Sequence, residues 1–150
     1  MSQSSPHPPE TYRTTTLEST GDFTYLARNV RGGELAVGSG DDASFTPVEL
    51  LLVALAGCGA IDLEHLTGKR AAYSSFAARA EGHKIRDEHG NRLVDLRVSF
   101  DVTFPEGEDG DRAREFLPRA LEQIERRLCT VGRTVQVGDP VRYVAAPVEP

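Results

Sequence analysis

The order of the predicted elements indicates an α+β fold with largely antiparallel sheets. Three strands come first, and a helix, a long hairpin, a second helix and a closing strand follow. Two segments carry most of this prediction. Leu96 to Phe104 alternates strictly between apolar and polar side chains, as a half-buried strand does. A clear helix start lies at Thr46, where a capping residue precedes an apolar run.

The N-terminal third is expected to contain a tail and three short strands. Residues 1–10 are rich in Ser and Pro, which predicts a disordered tail, and they lack the basic and apolar regions of a signal peptide. Residues 11–150 are then expected to form a single domain. The strands are predicted at Thr11–Thr20, Asp22–Val30 and Glu34–Gly38.

The first helix is predicted from Thr46 to about Leu66. Pro47 suits the first helical position, and Glu49 at the third would complete a capping box with Thr46. Thr67-Gly68 provides a stop. The helix is apolar nearly all round, so a further layer must cover it, and a second copy of the chain is the simplest candidate. Its uninterrupted apolar run is too short to span a bilayer.

The C-terminal half is expected to hold the hairpin, the second helix and a last strand. Ala71–Ile85 pairs with the alternating strand, with Gly90-Asn91 at the tip of the turn. The second helix spans about Arg112–Leu128, and Pro118 either kinks it or marks where its regular part begins. Thr134–Ala146 is predicted to be a strand, whole or broken at Gly138. The second helix carries an apolar stripe at Leu117, Leu121, Ile124 and Leu128.

Composition and missing motifs exclude several functions. The net charge is −6, and Arg126-Arg127 is the nearest approach to a basic cluster, which argues against a nucleic-acid or membrane-surface binder. No Cys-x-x-Cys or His-Glu-x-x-His spacing predicts a metal site. No Gly-x-Gly-x-x-Gly follows a strand, so no cofactor is expected. The absence of a targeting segment predicts a cytoplasmic protein, whose cysteines are free thiols or a redox pair.

The two cysteines are the principal candidates for chemistry. Cys58 lies in the first helix between Gly57 and Gly59, and Cys129 follows the second helix. The glycines would let a substrate or another backbone approach the sulfur, but they would equally permit tight helix packing. Either cysteine could also be a small buried apolar residue. If Cys58 reacts with a peroxide, a second thiol such as Cys129 can convert the resulting sulfenic acid to a disulfide.

Charged partners of Cys58 must come from elsewhere in the fold. Glu49 precedes Cys58 by nine positions, which is ~13 Å along a helix and about half a turn around it. A bridging side chain or a partner chain would therefore have to connect them. A reactive thiolate needs nearby positive charge, and Arg28, Arg31 and Arg133 are the candidates considered.

Three stretches resemble the OsmC/Ohr family of osmotically induced and organic hydroperoxide resistance proteins. They are Thr46–Leu63 ("TPVELLLVALAGCGAIDL"), Gly68–Arg70 ("GKR") and Arg126–Val135 ("RRLCTVGRTV"). The first stretch is most similar to a third branch of the family, whose substrate is poorly defined. The resemblance implies an intertwined homodimer in which two central helices pack between sheets assembled from both chains.

The resemblance also implies thiol-dependent reduction of organic hydroperoxides, with an external dithiol as reductant. Cys58 would match the peroxidatic cysteine and Cys129 the resolving cysteine. Glu49 would match the carboxylate that holds an arginine against the thiolate. Arg31 is the first choice for that arginine and Arg28 the second, because 34–48 contains none. Two other functions are kept open: a non-catalytic binder of a small apolar ligand and a thiol redox sensor.

Overall fold

A computed structural model describes residues 5–145, which form an α+β arrangement of antiparallel strands with three α-helices. The chain divides into two compact units, the first built on the N-terminal residues up to Pro47 and the second spanning Val48–Arg142. The prediction of a single domain over residues 11–150 stays a prediction.

The N-terminal unit contains a three-stranded antiparallel sheet in the order β1-β2-β3. Its strands are β1 (Thr15–Gly21), β2 (Thr24–Asn29) and β3 (Glu34–Val37). All three predicted strands are therefore confirmed, and each is shorter than predicted, although β1 ends one residue later, at Gly21. A short 3₁₀ turn at Pro9–Thr11 overlaps the end of the predicted tail, and the residues from 5 to 11 are exposed. The first four residues of that tail lie outside the described part.

The second unit joins a long hairpin to the helices. Its elements are α1 (Pro47–Thr67), β4 (Ser75–Asp87), β5 (Gly90–Thr103), α2 (Glu108–Gln123), a π-helical segment (Ile124–Leu128) and α3 (Thr130–Val137). The apolar side chains of β5 are half-buried and its polar ones exposed, as the alternation predicts. Asp87 pairs with Gly90, so the tip of the hairpin is Glu88-His89 rather than the predicted Gly90-Asn91.

Two predictions for the second helix are corrected. The helix starts at Glu108, earlier than predicted, and continues through Pro118, which therefore does not mark its regular start. The apolar stripe holds through Ile124, but Leu128 is 44% exposed. The cause is the π-helical segment, in which Cys129 N–H donates to the Ile124 carbonyl five residues back. The wider turn shifts the buried face by one residue, so Cys129 takes the inward position predicted for Leu128.

The predicted closing strand at Thr134–Ala146 is wrong. Thr130–Val137 is the helix α3, and the described residues after it form no strand; Ala146 itself lies outside the described residues. Local capping outweighs the strand preference of Thr and Val: the Cys129 Sγ accepts from Gly132 N–H at the start of α3. Gly138 ends the helix in the left-handed conformation, with φ of 76°.

The core of the second unit forms where α1, β5, α2 and the π-helical segment meet. Leu63, Ala120, Ile124 and Cys129 are buried together. Half-buried Phe100 and Phe116 pack against them. At the C-terminus of α1, the Arg70 guanidinium lies 3.6 Å from the centroid of the Phe116 ring, a cation–π contact. Arg70 also donates to the Leu66 carbonyl, as suits the negative end of a helix.

The two glycines beside Cys58 have different surroundings. A Cβ atom on Gly59 would lie 3.0 Å from Cζ of Phe100 and 3.8 Å from Cγ2 of Ile124, so this glycine allows close packing of α1. A Cβ atom on Gly57 would meet nothing within 4 Å. Of the two explanations that the sequence left open, tight packing therefore applies to Gly59, and open space for an approaching group applies to Gly57.

Helix α1 is apolar on faces that the second unit leaves uncovered. Leu51, Val53 and Ile61 are 36%, 50% and 62% exposed, as the all-round apolar sequence predicts. By length and composition α1 could cross a membrane, which corrects the expectation that its apolar run is too short. The core helix of a soluble protein passes the same test, and Leu63 of α1 is fully buried in the core.

The different surroundings of the glycines predict opposite effects of alanine. Gly57→Ala should keep or raise the free energy of unfolding, by up to about 1 kcal/mol, because alanine favours the helix. Gly59→Ala should be the less stable variant by about 1 kcal/mol or more, because its methyl group presses on Phe100. Urea unfolding monitored by circular dichroism measures both. Equal stability of the two variants would contradict this packing.

Candidate functional site

One face of α1 supplies two side chains to the candidate site. Cys58 and Asp62 are four residues apart, so they lie one above the other on the same face of the helix. This face lies beside the buried stripe Leu55, Gly59, Leu63 and Thr67. Cys58 is half-buried against the core. The packing of the stripe thus fixes the depth and direction of both functional side chains.

Cys129 lies beside Cys58 and Asp62 but comes from a later part of the second unit, between the π-helical segment and α3. It follows the π-helical segment and caps α3, where its Sγ accepts a hydrogen bond from Gly132 N–H at 3.3 Å. Only 5% of the residue is exposed. Burial and the hydrogen bond from the backbone fix the position of this sulfur. A thiol that reacts with a neighbouring group needs such a fixed position.

The three side chains converge. The Sγ atoms of Cys58 and Cys129 and a carboxylate oxygen of Asp62 all lie within 4.8 Å of one another. Both cysteines are free thiols. Formation of a disulfide requires the sulfurs to approach to about 2.05 Å, so a movement of the side chains or their backbone must accompany oxidation. The arrangement therefore suits a redox pair that is near, but not bonded.

The surroundings favour the neutral thiol of Cys129. Burial raises the pKa of the Cys129 thiol most, and neighbouring Cys58 and Asp62 raise that pKa further. The hydrogen bond from Gly132 opposes the shift by lowering the pKa. At neutral pH Cys129 consequently carries its proton and can donate it towards Cys58.

Asp62 is the member of the site that the sequence analysis missed. Its Oδ2 atom is buried and has no hydrogen-bond partner among the described residues. An orphaned buried carboxylate oxygen is costly to the fold and calls for an explanation. The signal that could have found it is its position, one helical turn after Cys58 and on the same face.

Glu49 occupies the predicted third position of α1, and α1 is one continuous helix from Pro47 to Thr67. Its rise therefore separates Glu49 from Cys58 by about 13 Å within one chain. The two are not brought together by α1. Their association through a bridging side chain or a partner chain stays a prediction, as does the capping role of Glu49.

The three candidate arginines differ in their partners. Arg28 lies on β2 between Glu18 at 2.8 Å and Glu34 at 3.4 Å, and these carboxylates raise the pKa of its guanidinium. Arg31 lies in the turn between β2 and β3, where its backbone N–H donates to Asn29. Arg133 lies on α3 and donates to Gln136. Arg28 and Arg31 belong to the N-terminal unit, and both cysteines to the other.

Comparison with known proteins identifies relatives across most of the chain. The family model described as OsmC-like protein matches residues 39–144. An uncharacterised protein of Mycobacterium tuberculosis is 32% identical over 127 residues, which are 83% of this chain and 90% of that protein. The region matched by the family model includes Cys58, Asp62 and Cys129.

Solved structures of low sequence identity share the fold. An OsmC-like protein of unknown function from Vibrio cholerae aligns with a TM-score of 0.69 and 13% identity, over 83% of this chain and 94% of that one. The organic hydroperoxide resistance protein OhrB of Bacillus subtilis aligns with a TM-score of 0.53 and 15% identity, over 85% and 92%. The chain therefore has an OsmC-like fold, and its two neighbouring cysteines fit a redox function.

Proposed function

Because the chain belongs to the OsmC-like protein family, we propose that it is a thiol-dependent peroxidase that reduces organic hydroperoxides. One observation carries the proposal: the Cys58 and Cys129 sulfurs lie within 4.8 Å of each other although 70 residues of chain separate them. Structural likeness to an organic hydroperoxide resistance protein is consistent with it. The cytoplasm is the proposed location.

Cys58 is the proposed peroxidatic residue because it is the more accessible of the two thiols. Its thiolate attacks an oxygen of the hydroperoxide ROOH, and the O–O bond breaks. The sulfur becomes a sulfenic acid, and the alkoxide leaves as the alcohol ROH after taking a proton. Within one chain, Gly57 leaves open space next to this sulfur, which a substrate or the second chain can enter.

Cys129 is the proposed resolving residue. Its thiol attacks the sulfenic sulfur of Cys58, the S–OH bond breaks, and the disulfide forms with release of water. Its burial suits this role because a buried thiol with a raised pKa reacts poorly with peroxide itself. An external dithiol then reduces the disulfide, so that each cycle converts one hydroperoxide and one dithiol to alcohol, water and an oxidised dithiol.

The proposal includes a homodimer, supported by the apolar residues that α1 leaves exposed. A second chain covering α1 would remove Val53 and Ile61 from water. It would also allow a carboxylate at Glu49 to hold an arginine against Cys58 from across the interface. Arg31 is the proposed arginine, because Arg28 is already held by two carboxylates.

We predict that a stoichiometric amount of cumene hydroperoxide converts the reduced protein to a species lighter by two hydrogens. Intact mass spectrometry measures this change. Cys58→Ser should abolish the reaction because no peroxidatic thiolate remains. Cys129→Ser should instead gain oxygen at Cys58, since its sulfenic acid cannot be resolved. When a dithiol reductant is supplied, we expect turnover, which is measured as the loss of hydroperoxide over time.

The same experiment separates the two other functions. An unchanged mass would contradict the peroxidase and indicate a small-ligand binder in which Cys58 serves packing. A disulfide that forms once, with no turnover when a dithiol is supplied, would contradict catalysis and indicate a redox sensor. Oxidation of Cys129 by hydroperoxide at an undiminished rate in Cys58→Ser would exclude Cys58 as the group that reacts first.

For the arginine, we predict that Arg31→Ala slows the reaction with hydroperoxide at least tenfold, a loss of about 1.4 kcal/mol of transition-state stabilisation. The physical reason is that a guanidinium beside Cys58 favours its thiolate. Arg28→Ala is the matched control from the same unit and should retain the rate within about threefold. Stopped-flow measurement of thiol consumption gives both rates. An unaltered rate in Arg31→Ala would contradict the proposed role of Arg31.

A further inference from the structure

The convergence of two thiols and a carboxylate is more than a redox pair needs. A disulfide requires only Cys58 and Cys129, yet Asp62 lies within 4.8 Å of both sulfurs. Its buried Oδ2 atom has no hydrogen-bond partner among residues 5–145. Formation of the disulfide leaves this oxygen without a role, so the redox chemistry does not explain the position of Asp62.

We propose that the reduced protein binds a thiophilic divalent cation of the zinc type through Cys58 Sγ, Cys129 Sγ and a carboxylate oxygen of Asp62. Thiolate sulfur and carboxylate oxygen are both ligands of such ions. In binding, each thiol loses its proton to solvent and forms a bond to the ion. No electrons are transferred, and two protons are released for each ion bound.

The geometry is close to what this coordination requires. In a tetrahedral zinc site, with zinc–sulfur bonds near 2.3 Å and zinc–oxygen bonds near 2.1 Å, the ligand atoms lie roughly 3.5 to 3.8 Å apart. The ligand atoms here lie within 4.8 Å of each other, so shifts of about 1 Å are sufficient. Cys58 and Asp62 provide ligands one helical turn apart on α1, a spacing that metal-binding helices use.

The site has three protein ligands and therefore leaves a fourth coordination position for water or another small ligand. Cys129 is held in place by the hydrogen bond from Gly132. Cys58 and Asp62 are held by the packing of α1 through Gly59 and Leu63. Linear motifs could not predict the site, because its third ligand comes from a distant part of the chain.

Metal binding and disulfide formation use the same sulfurs and exclude each other. The ion can bind only while both thiols are reduced, and oxidation to the disulfide must release it. The inference does not depend on the peroxidase proposal, since binding by the reduced thiols requires no hydroperoxide.

The test is titration of the reduced full-length protein with cadmium chloride, followed by the ultraviolet sulfur-to-cadmium charge-transfer band and by calorimetry. Zinc chloride in a competition experiment should then reverse the band. We expect one ion per chain, at least tenfold weaker binding in Asp62→Asn, Cys58→Ser and Cys129→Ser, and unaltered binding in Glu64→Gln. Glu64 is the matched control, because it lies on the same helix with its side chain exposed.

Two results of this titration would overturn the proposal. One is a reduced protein that gives no charge-transfer band, and the other is binding that persists in Asp62→Asn or either cysteine variant as in the unaltered chain. Circular dichroism verifies that each variant is folded. Because Cys129 is buried and Cys129→Ser could destabilise the fold, the diamide-oxidised protein serves as a second measurement. Retention of the ion by the disulfide form would equally contradict the proposal.

Discussion

The close packing of α1 against β5 and the π-helical segment is the constraint on which the rest of the site depends. Gly59 makes this packing possible, because a Cβ atom there would press on Phe100 and lie in contact with Ile124. The same contact brings Leu63 into the core beside Ala120, Ile124 and Cys129. Without the close packing of α1, the sulfur of Cys58 would not lie near the sulfur of Cys129.

The π-helical segment positions the second cysteine, as the packing of α1 positions the first. One residue more per turn rotates Leu128 towards solvent and Cys129 into the core, where its sulfur meets Cys58. The burial that results keeps Cys129 protonated by raising its pKa. Backbone geometry thereby assigns the two cysteines different chemical characters, one accessible and one buried, which is the asymmetry that a peroxidatic and a resolving thiol need.

Much of the fold was predictable because its signals are local. The alternation of Leu96–Phe104 and the start of α1 at Pro47 follow from the sequence alone. The closing strand was wrong because Val and Thr favour strands only weakly, and a sulfur cap at Cys129 with Gly138 at the end stabilised a helix instead. The scarcity and setting of the two cysteines pointed to Cys58 and Cys129, and the family resemblance implied their roles. Asp62 is recognisable only when the fold shows which carboxylate lies beside the sulfurs.

The central claim, that the two cysteines of one chain form a redox pair, is tested most directly by locating the disulfide. Equal amounts of ordinary and ¹⁵N-labelled protein are mixed as reduced chains, allowed to exchange partners, oxidised with hydroperoxide and digested without reduction. We expect linked Cys58 and Cys129 peptides that are both ordinary or both labelled, because one chain holds both sulfurs. Linked peptides of mixed labelling, or no link between these cysteines, would contradict it.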